Sequence, residues 1–189
     1  MKRLDGDPAI APDDFWVFGY ASLIWRPGFA FVEARPATLL GYRRDMCFLS
    51  IHYRGTPEKP GLVCGLMPDG SGADCRGLAY RIAPENIDAA VAYLDARELI
   101  TDIYIPRHLR IMLDGRAALA RVYVAATTHA QYVGQWSDDE KAAALVSGVG
   151  TEGRSLDYLA NVVAHLRELG IDDAHMSDLL RKAIARDAI

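Results

Sequence analysis

The sequence predicts an α+β fold. Strand-like runs, with one helix among them, fill the chain to about residue 126, and three helical patterns with capping signals fill the remainder. Hairpin signals separate several of the strands, which points to antiparallel pairing.

The first strand is Phe15-Trp16-Val17-Phe18, an aromatic and β-branched run. Gly19 breaks it. The small residues of Tyr20-Ala21-Ser22-Leu23 then allow a ligand to approach the backbone, so that several N–H groups can face one anion. Read by spacing alone, the stretch is no more than a buried strand and a turn, closed by Arg26-Pro27-Gly28. The segment from Ala37 to Ile51 is one long strand or two joined by a bend at Gly41. Within it, Arg43 and Arg44 are expected as one solvent-facing and one salt-bridged arginine. His52 to Gly61 is a loop by composition, long enough to border a site, with Arg54 read as a plain surface arginine and, as the alternative, a contact for an acidic ligand. Leu62–Leu66 and Arg76–Ile82 are short strands, and the turn Pro68-Asp69-Gly70-Ser71-Gly72 predicts a hairpin between them.

Ala83-Pro84-Glu85 opens a helix whose apolar stripe is Ile87, Val91, Leu94. The next position in that series is Glu98, so a carboxylate continues the buried stripe if the helix runs that far. Burial disfavours the ionised form and raises the pKa, which gives an acid/base group near neutral pH. A helix ending earlier would leave Glu98 an exposed terminal residue, and Arg97 is read as its ion-pair neighbour. Ile103–Leu113 and Ala117–Ala126 are strands around the hairpin signal Asp114-Gly115. Ser137-Asp138-Asp139-Glu140 is a capping box for a helix that stops near Gly148. After a glycine-rich connection, Ser155 can cap a helix with the stripe Leu156, Leu159, Val163, Leu166. Tyr158 sits one position off that stripe, where ordinary half-buried packing accounts for it. Asp172 or Asp173 can cap a last helix with Met176, Leu179, Leu180, Ala183 and Ile184 inward.

At 51% apolar and 24% charged residues the chain is globular rather than disordered, and 189 residues suit one domain after a flexible leader over residues 1–14. A net charge of −4 argues against nucleic-acid binding. No apolar run approaches the ~20 residues of a membrane span, and no signal-peptide core follows Met1-Lys2-Arg3. Cys47, Cys64 and Cys75 read as buried free thiols in a reducing cytoplasm. The five histidines lack metal-ligand spacing and no phosphate-binding glycine motif occurs, so neither metal nor cofactor is expected.

Three segments carry a resemblance. Tyr20-Ala21-Ser22-Leu23-Ile24-Trp25 resembles the signature of the ChaC-type γ-glutamylcyclotransferases, a tyrosine, glycine, serine, leucine run followed by an apolar residue and tryptophan. Ala21 stands in the glycine's place. If that position needs positive φ, alanine costs about 1 kcal/mol. Tyr93-Leu94-Asp95-Ala96-Arg97-Glu98 is similar to the second signature, whose glutamate is the family's catalytic residue, although Leu99-Ile100-Thr101-Asp102 departs from the family's lysine and glycine-rich turn. Gly153-Arg154-Ser155 with Asp157-Tyr158-Leu159 is similar to a third segment, whose tyrosine lies at the substrate pocket.

The resemblance implies a small, mostly antiparallel β-barrel with surrounding helices over residues 15–189. It implies cyclisation of the γ-glutamyl group of glutathione, or of another γ-glutamyl peptide, to 5-oxoproline with release of Cys-Gly. Glu98 would be the general acid/base, and Tyr20, Ala21, Ser22, Leu23 and Tyr158 would bind substrate. A monomer in the cytoplasm, with no nucleic-acid or membrane partner, is the default. The alternatives are a regulatory module that binds γ-glutamyl ligands without turnover, and a cyclotransferase for other γ-glutamyl amines.

Overall fold

A computed structural model describes residues 6–70 and 72–188. Residues 1–5 of the expected leader, Ser71 of the expected turn and Ile189 lie outside the described residues. The strands are β1 (Trp16–Gly19), β2 (Glu33–Leu40), β3 (Tyr42–Ser50), β4 (Gly61–Pro68), β5 (Asp74–Arg81), β6 (Tyr104–Leu113), β7 (Arg116–Ala125), β8 (Val149–Gly150) and β9 (Gly153–Arg154). The helices are α1 (Ile87–Glu98), α2 (Asp138–Ser147), α3 (Ser155–Glu168) and α4 (Ala174–Asp187). The described residues form two compact units. One holds the chain up to Arg44 and Leu66–Ala126; the other holds Asp45–Gly65 and the chain from Thr127 onward.

The first unit contains a closed five-stranded barrel in the order β1-β5-β2-β6-β7. All its pairings are antiparallel except that of β1 with β7, where Trp16 and Val17 run alongside Ala120 and Arg121. β1 is buried along its whole length, as a strand with neighbours on both edges and bulky side chains on both faces should be. Asp114 and Gly115 both take positive φ and join β6 to β7 in the two-residue turn that matches the twist of the strands. α1 lays Ile87, Ala90, Val91 and Leu94 against Phe15, Val17, Tyr80 and Ile82. Full burial of a side chain such as Leu94 contributes about 2 kcal/mol. The part of the expected leader that is described is held to this unit. Asp7 accepts hydrogen bonds from Arg107 Nε (2.9 Å) and from the His108 amide (2.8 Å), and Ile10 is buried.

The segment from Ala37 onward is two strands, the second of the expected alternatives, because Gly41 sits at φ +75° between them. Two expectations for this region need correction. The predicted hairpin of residues 62–66 with 76–82 is absent from the described residues: β4 pairs with β3, whereas β5 runs between β1 and β2. The turn signal instead marks a crossing. The Asp69 amide donates to the Gly41 carbonyl and the Gly41 amide to the Ala73 carbonyl, both at 2.8 Å, so the connection is stitched to the β2–β3 turn and delivers β5 to β2. Of the two arginines, Arg43 is the salt-bridged one (Nε to Asp69, 3.3 Å). Arg44 is buried rather than solvent-facing, and it donates to the Arg76 carbonyl and to Cys75 Sγ.

In the second unit α2 packs on α3 and α4. The capping box forms as expected: Glu140 N donates to Ser137 Oγ (3.3 Å), and Ser137 N donates to Glu140 Oε2 (2.8 Å). Asp173 caps α4 by accepting from Met176 N at 3.1 Å. Met176, Leu179 and Ala183 are buried, but Ile184 is half-exposed rather than inward. Ser155 is not the cap of α3. It is the first helical residue, and its hydroxyl both accepts from Leu62 N (2.8 Å) and donates to Leu62 O (2.9 Å), fastening the helix start to β4. Cys47, Cys64 and Cys75 are buried free thiols.

An ion cluster ties β3 to two helices. Asp45 is almost fully buried, with Lys141 Nζ at 2.7 Å and His175 Nε2 at 3.0 Å from its two carboxylate oxygens. The hydrogen bond to Asp45 raises the His175 pKa above its ordinary 6.5 against partial burial and the nearby Lys141 charge, with a smaller push in the same direction from the Asp138 carboxylate. The folded value lies above the unfolded one. His175 therefore stabilises the fold fully below pH 6.5, and that contribution is lost as pH rises through the folded value. Thermal midpoints of the protein are expected to fall as pH rises above 6.5, and His175→Gln is expected to flatten that fall. An equal fall in the variant would rule His175 out as its source.

Candidate active site

The expected site residues of the first unit come from two segments. After β1 the chain makes a single 3₁₀ turn over Ser22–Ile24, with the Ile24 amide donating to the Ala21 carbonyl at 2.8 Å. The first amides of a helical turn have no partner within it, so those of Ser22 and Leu23 are the donors such a turn offers to an anion. Tyr80, on β5, supports the turn from below: its hydroxyl is 2.8 Å from the Leu23 carbonyl and 3.2 Å from that of Ile24. Burial pushes the Tyr80 phenol up to about 12, so it remains a neutral donor. Tyr20 is buried, and its hydroxyl donates to the Tyr123 carbonyl on β7 at 3.0 Å. Ala21 has φ −141°, so alanine carries no left-handed penalty here and the glycine of the family signature is not required by a positive φ.

Glu98 is the last residue of α1, so the helix does run far enough to place it in line with Val91 and Leu94. Its side chain is 16% exposed. Burial raises its pKa, and the positive charge of Arg97, whose Nε is 3.2 Å from Glu98 Oε1, partly offsets that rise. The result is a carboxylate held closer to neutral pH than a surface glutamate.

Arg97 also joins the two segments. Nη1 donates to the Arg26 carbonyl at 2.6 Å, and Nη2 donates to Ser22 Oγ at 3.0 Å. Tyr93, one turn earlier on α1, has its hydroxyl 3.3 Å from Nη1. Gly28 lies under that ring, where a Cβ would overlap it, and takes φ +74°. Sequence reasoning read Arg97 only as a neighbour of Glu98, and it did not single out Tyr80. The i, i+4 spacing of Tyr93 and Arg97 was the available signal for the former. The Tyr80 contacts depend on strand pairing and have no local signature.

Below the turn lies a second polar group. Arg121, fully buried on β7, donates from Nη2 to Asp95 Oδ1 (2.5 Å) and from Nε to the Tyr123 hydroxyl (2.9 Å), which itself donates to Asp95 Oδ1 (2.6 Å). Asp95, one turn before Glu98, is thereby engaged by the barrel wall. The structure thus brings Tyr20, Ala21, Ser22, Leu23 and Glu98 together within the first unit.

Tyr158 belongs to the second unit. It is buried on α3, with the Arg54 guanidinium 5.2 Å above its ring. Arg54 in turn donates to the Glu152 carbonyl in the β8–β9 connection. No group of residues suited to hold a metal ion occurs among the described residues. No helix among them is long and apolar enough to cross a membrane.

A family model described as ChaC-like protein matches residues 15–186. The chain is 33% identical over 175 residues to the Escherichia coli (strain K12) protein named glutathione-specific gamma-glutamylcyclotransferase, covering 91% of this chain and 74% of that one. It is 29% identical to the Homo sapiens protein named glutathione-specific gamma-glutamylcyclotransferase 1, covering 95% and 81%. With gamma-glutamylcyclotransferase 2-3 of Arabidopsis thaliana it shares 35% identity over 87% and 85% of the two chains. Its fold is that of the yeast γ-glutamyl cyclotransferase specific to glutathione, with a TM-score of 0.83 at 24% identity over 92% and 99% of the chains.

Proposed function

The chain belongs to the ChaC-like protein family, and from that premise we propose that it cyclises the γ-glutamyl group of glutathione, releasing 5-oxoproline and Cys-Gly. The observation that carries the reading is the Glu98 carboxylate, largely buried at the end of α1 and linked through Arg97 to the turn that begins at Ser22.

The chemistry asks little of a protein. The nucleophile is the substrate's own α-amine, already tethered to its γ-carbonyl, so the fold has only to hold the chain bent for attack. The amine must lose a proton, and the departing amine of Cys-Gly must gain one. A single carboxylate can accept the first proton and return it to the leaving nitrogen, and Glu98 has that role. Donors at Ser22 and Leu23 would face the substrate carboxylate or the oxyanion that develops on the γ-carbonyl. The buried Tyr20 and Ala21 shape that turn, and Tyr158 offers a hydroxyl to a polar group of the substrate. No metal, nucleotide or covalent nucleophile enters these steps. The protein so read is a single catalytic domain, monomeric and cytoplasmic, acting on a small molecule rather than on nucleic acid.

The test is to incubate purified protein with reduced glutathione and follow both products. Release of 5-oxoproline and Cys-Gly in equal amounts is expected. Turnover only of simple γ-glutamyl dipeptides would move the substrate class. Binding of glutathione without release, by folded protein, would favour a regulatory module.

A further inference from the structure

Arg97 has more contacts than an ion pair with Glu98 requires. Its guanidinium reaches the Arg26 carbonyl (2.6 Å), Ser22 Oγ (3.0 Å) and Glu98 Oε1 (3.2 Å), with the Tyr93 hydroxyl at 3.3 Å. These partners lie on both sides of the site: one end of the 3₁₀ turn, the loop after it, and the last residue of α1. A planar fork with five fixed N–H donors suits such a span, whereas an ammonium on a flexible stem acts as a point charge. The side chain is only 25% exposed, so these bonds are not those of a freely solvated surface arginine. The other charged side chain on this stretch of α1, Asp95, faces Arg121 instead.

We propose that Arg97 is a positioning residue of the cyclisation: its guanidinium locks the Ser22–Arg26 turn to Glu98, fixing the distance between the anion-binding amides and the base. Its positive charge also offsets part of the rise that burial gives the Glu98 carboxyl. The proposal rests on the assignment of Glu98 as the base. It also implies that the two jobs separate chemically. The charge job survives replacement by lysine; the bracing job does not.

The test uses Arg97→Lys and Arg97→Met in the full-length protein, with pH profiles of kcat/KM for glutathione. Activity requires ionised Glu98, so it rises with pH through the Glu98 pKa. In Arg97→Met the acid limb is expected to move to higher pH, because the nearby positive charge is gone, and the plateau is expected to fall about a hundredfold. In Arg97→Lys the acid limb should stay near that of the parent while the plateau falls about tenfold, with KM raised. A carboxyl NMR titration of Glu98, assigned by its loss in Glu98→Gln, reads the same pKa without turnover. Parental plateau and parental limb in both variants would overturn the proposal. So would equal plateau losses in both variants with an unmoved Glu98 titration, which would mark Arg97 as merely structural. Failure of the base assignment shows separately, as parental turnover by Glu98→Gln.

Discussion

Glu98→Gln is expected to lower kcat for release of 5-oxoproline by about a thousandfold, within the range general acid/base groups contribute. The amide keeps the shape and the largely buried position of the side chain but cannot accept the ammonium proton of the substrate. The fold should tolerate the change well, because burial already disfavours the charged carboxylate and the offsetting interaction is the single charge of Arg97. KM should therefore change far less than kcat, and the thermal midpoint should remain at or above that of the parent. Steady-state kinetics beside calorimetry on the same preparations check this. Turnover within a few-fold of the parent would remove Glu98 from the proton transfers.

Lys141→Met is expected to produce the largest loss of stability. Lys141 and Asp45 are both nearly inaccessible to solvent and 2.7 Å apart. Removing one partner leaves a buried carboxylate without its lysine countercharge, and breaking such a pair costs several kcal/mol, here about 3. For a chain of this size that corresponds to a fall of roughly 6–12 °C in Tm at pH 7. The sign of the pH dependence follows from Asp45, whose pKa is lowered to about 2 from 3.8 because the bonds to His175 and Lys141 outweigh its burial. Asp45 stabilises the fold above pH 3.8 and loses that contribution as pH falls through about 2. The gap between parent and variant should thus be full at pH 7 and close between pH 4 and pH 2. A constant gap would show that the loss comes from packing rather than from charge.

Much of the candidate site was readable because it follows local periodicity. The stripe of Ile87, Val91 and Leu94 led directly to Glu98, and the helix ends on that residue. The strand–glycine–small pattern located the turn at Ser22, and the capping box at Ser137 formed as its spacing required. What was missed depends on partners far away in sequence. Pro68 to Gly72 has every mark of a hairpin turn, yet which strand β5 joins is decided by the long ladder from Glu33 to Leu40, not by the turn. Ser155 resembles a cap, but Leu62 supplies both a donor and an acceptor to its hydroxyl. Arg43 and Arg44 were expected as one solvent-facing and one salt-bridged arginine, because nothing in their neighbours reveals that the Arg76 carbonyl and Cys75 lie within reach of Arg44.

The parallel pairing of β1 with β7 has a consequence for synthesis. Val17 meets Arg121 across roughly a hundred intervening residues, so the strand that leads into the Ser22 turn is made long before β7 and cannot gain its second edge until β7 has left the ribosome. Until then its aromatic run is an unpaired, sticky edge, the kind of segment that nascent-chain chaperones hold. A ribosome stalled before residue 120 would hold a polypeptide with the Tyr20–Leu23 segment complete and no closed wall behind it. Acquisition of glutathione turnover during translation should therefore be abrupt and late, never gradual.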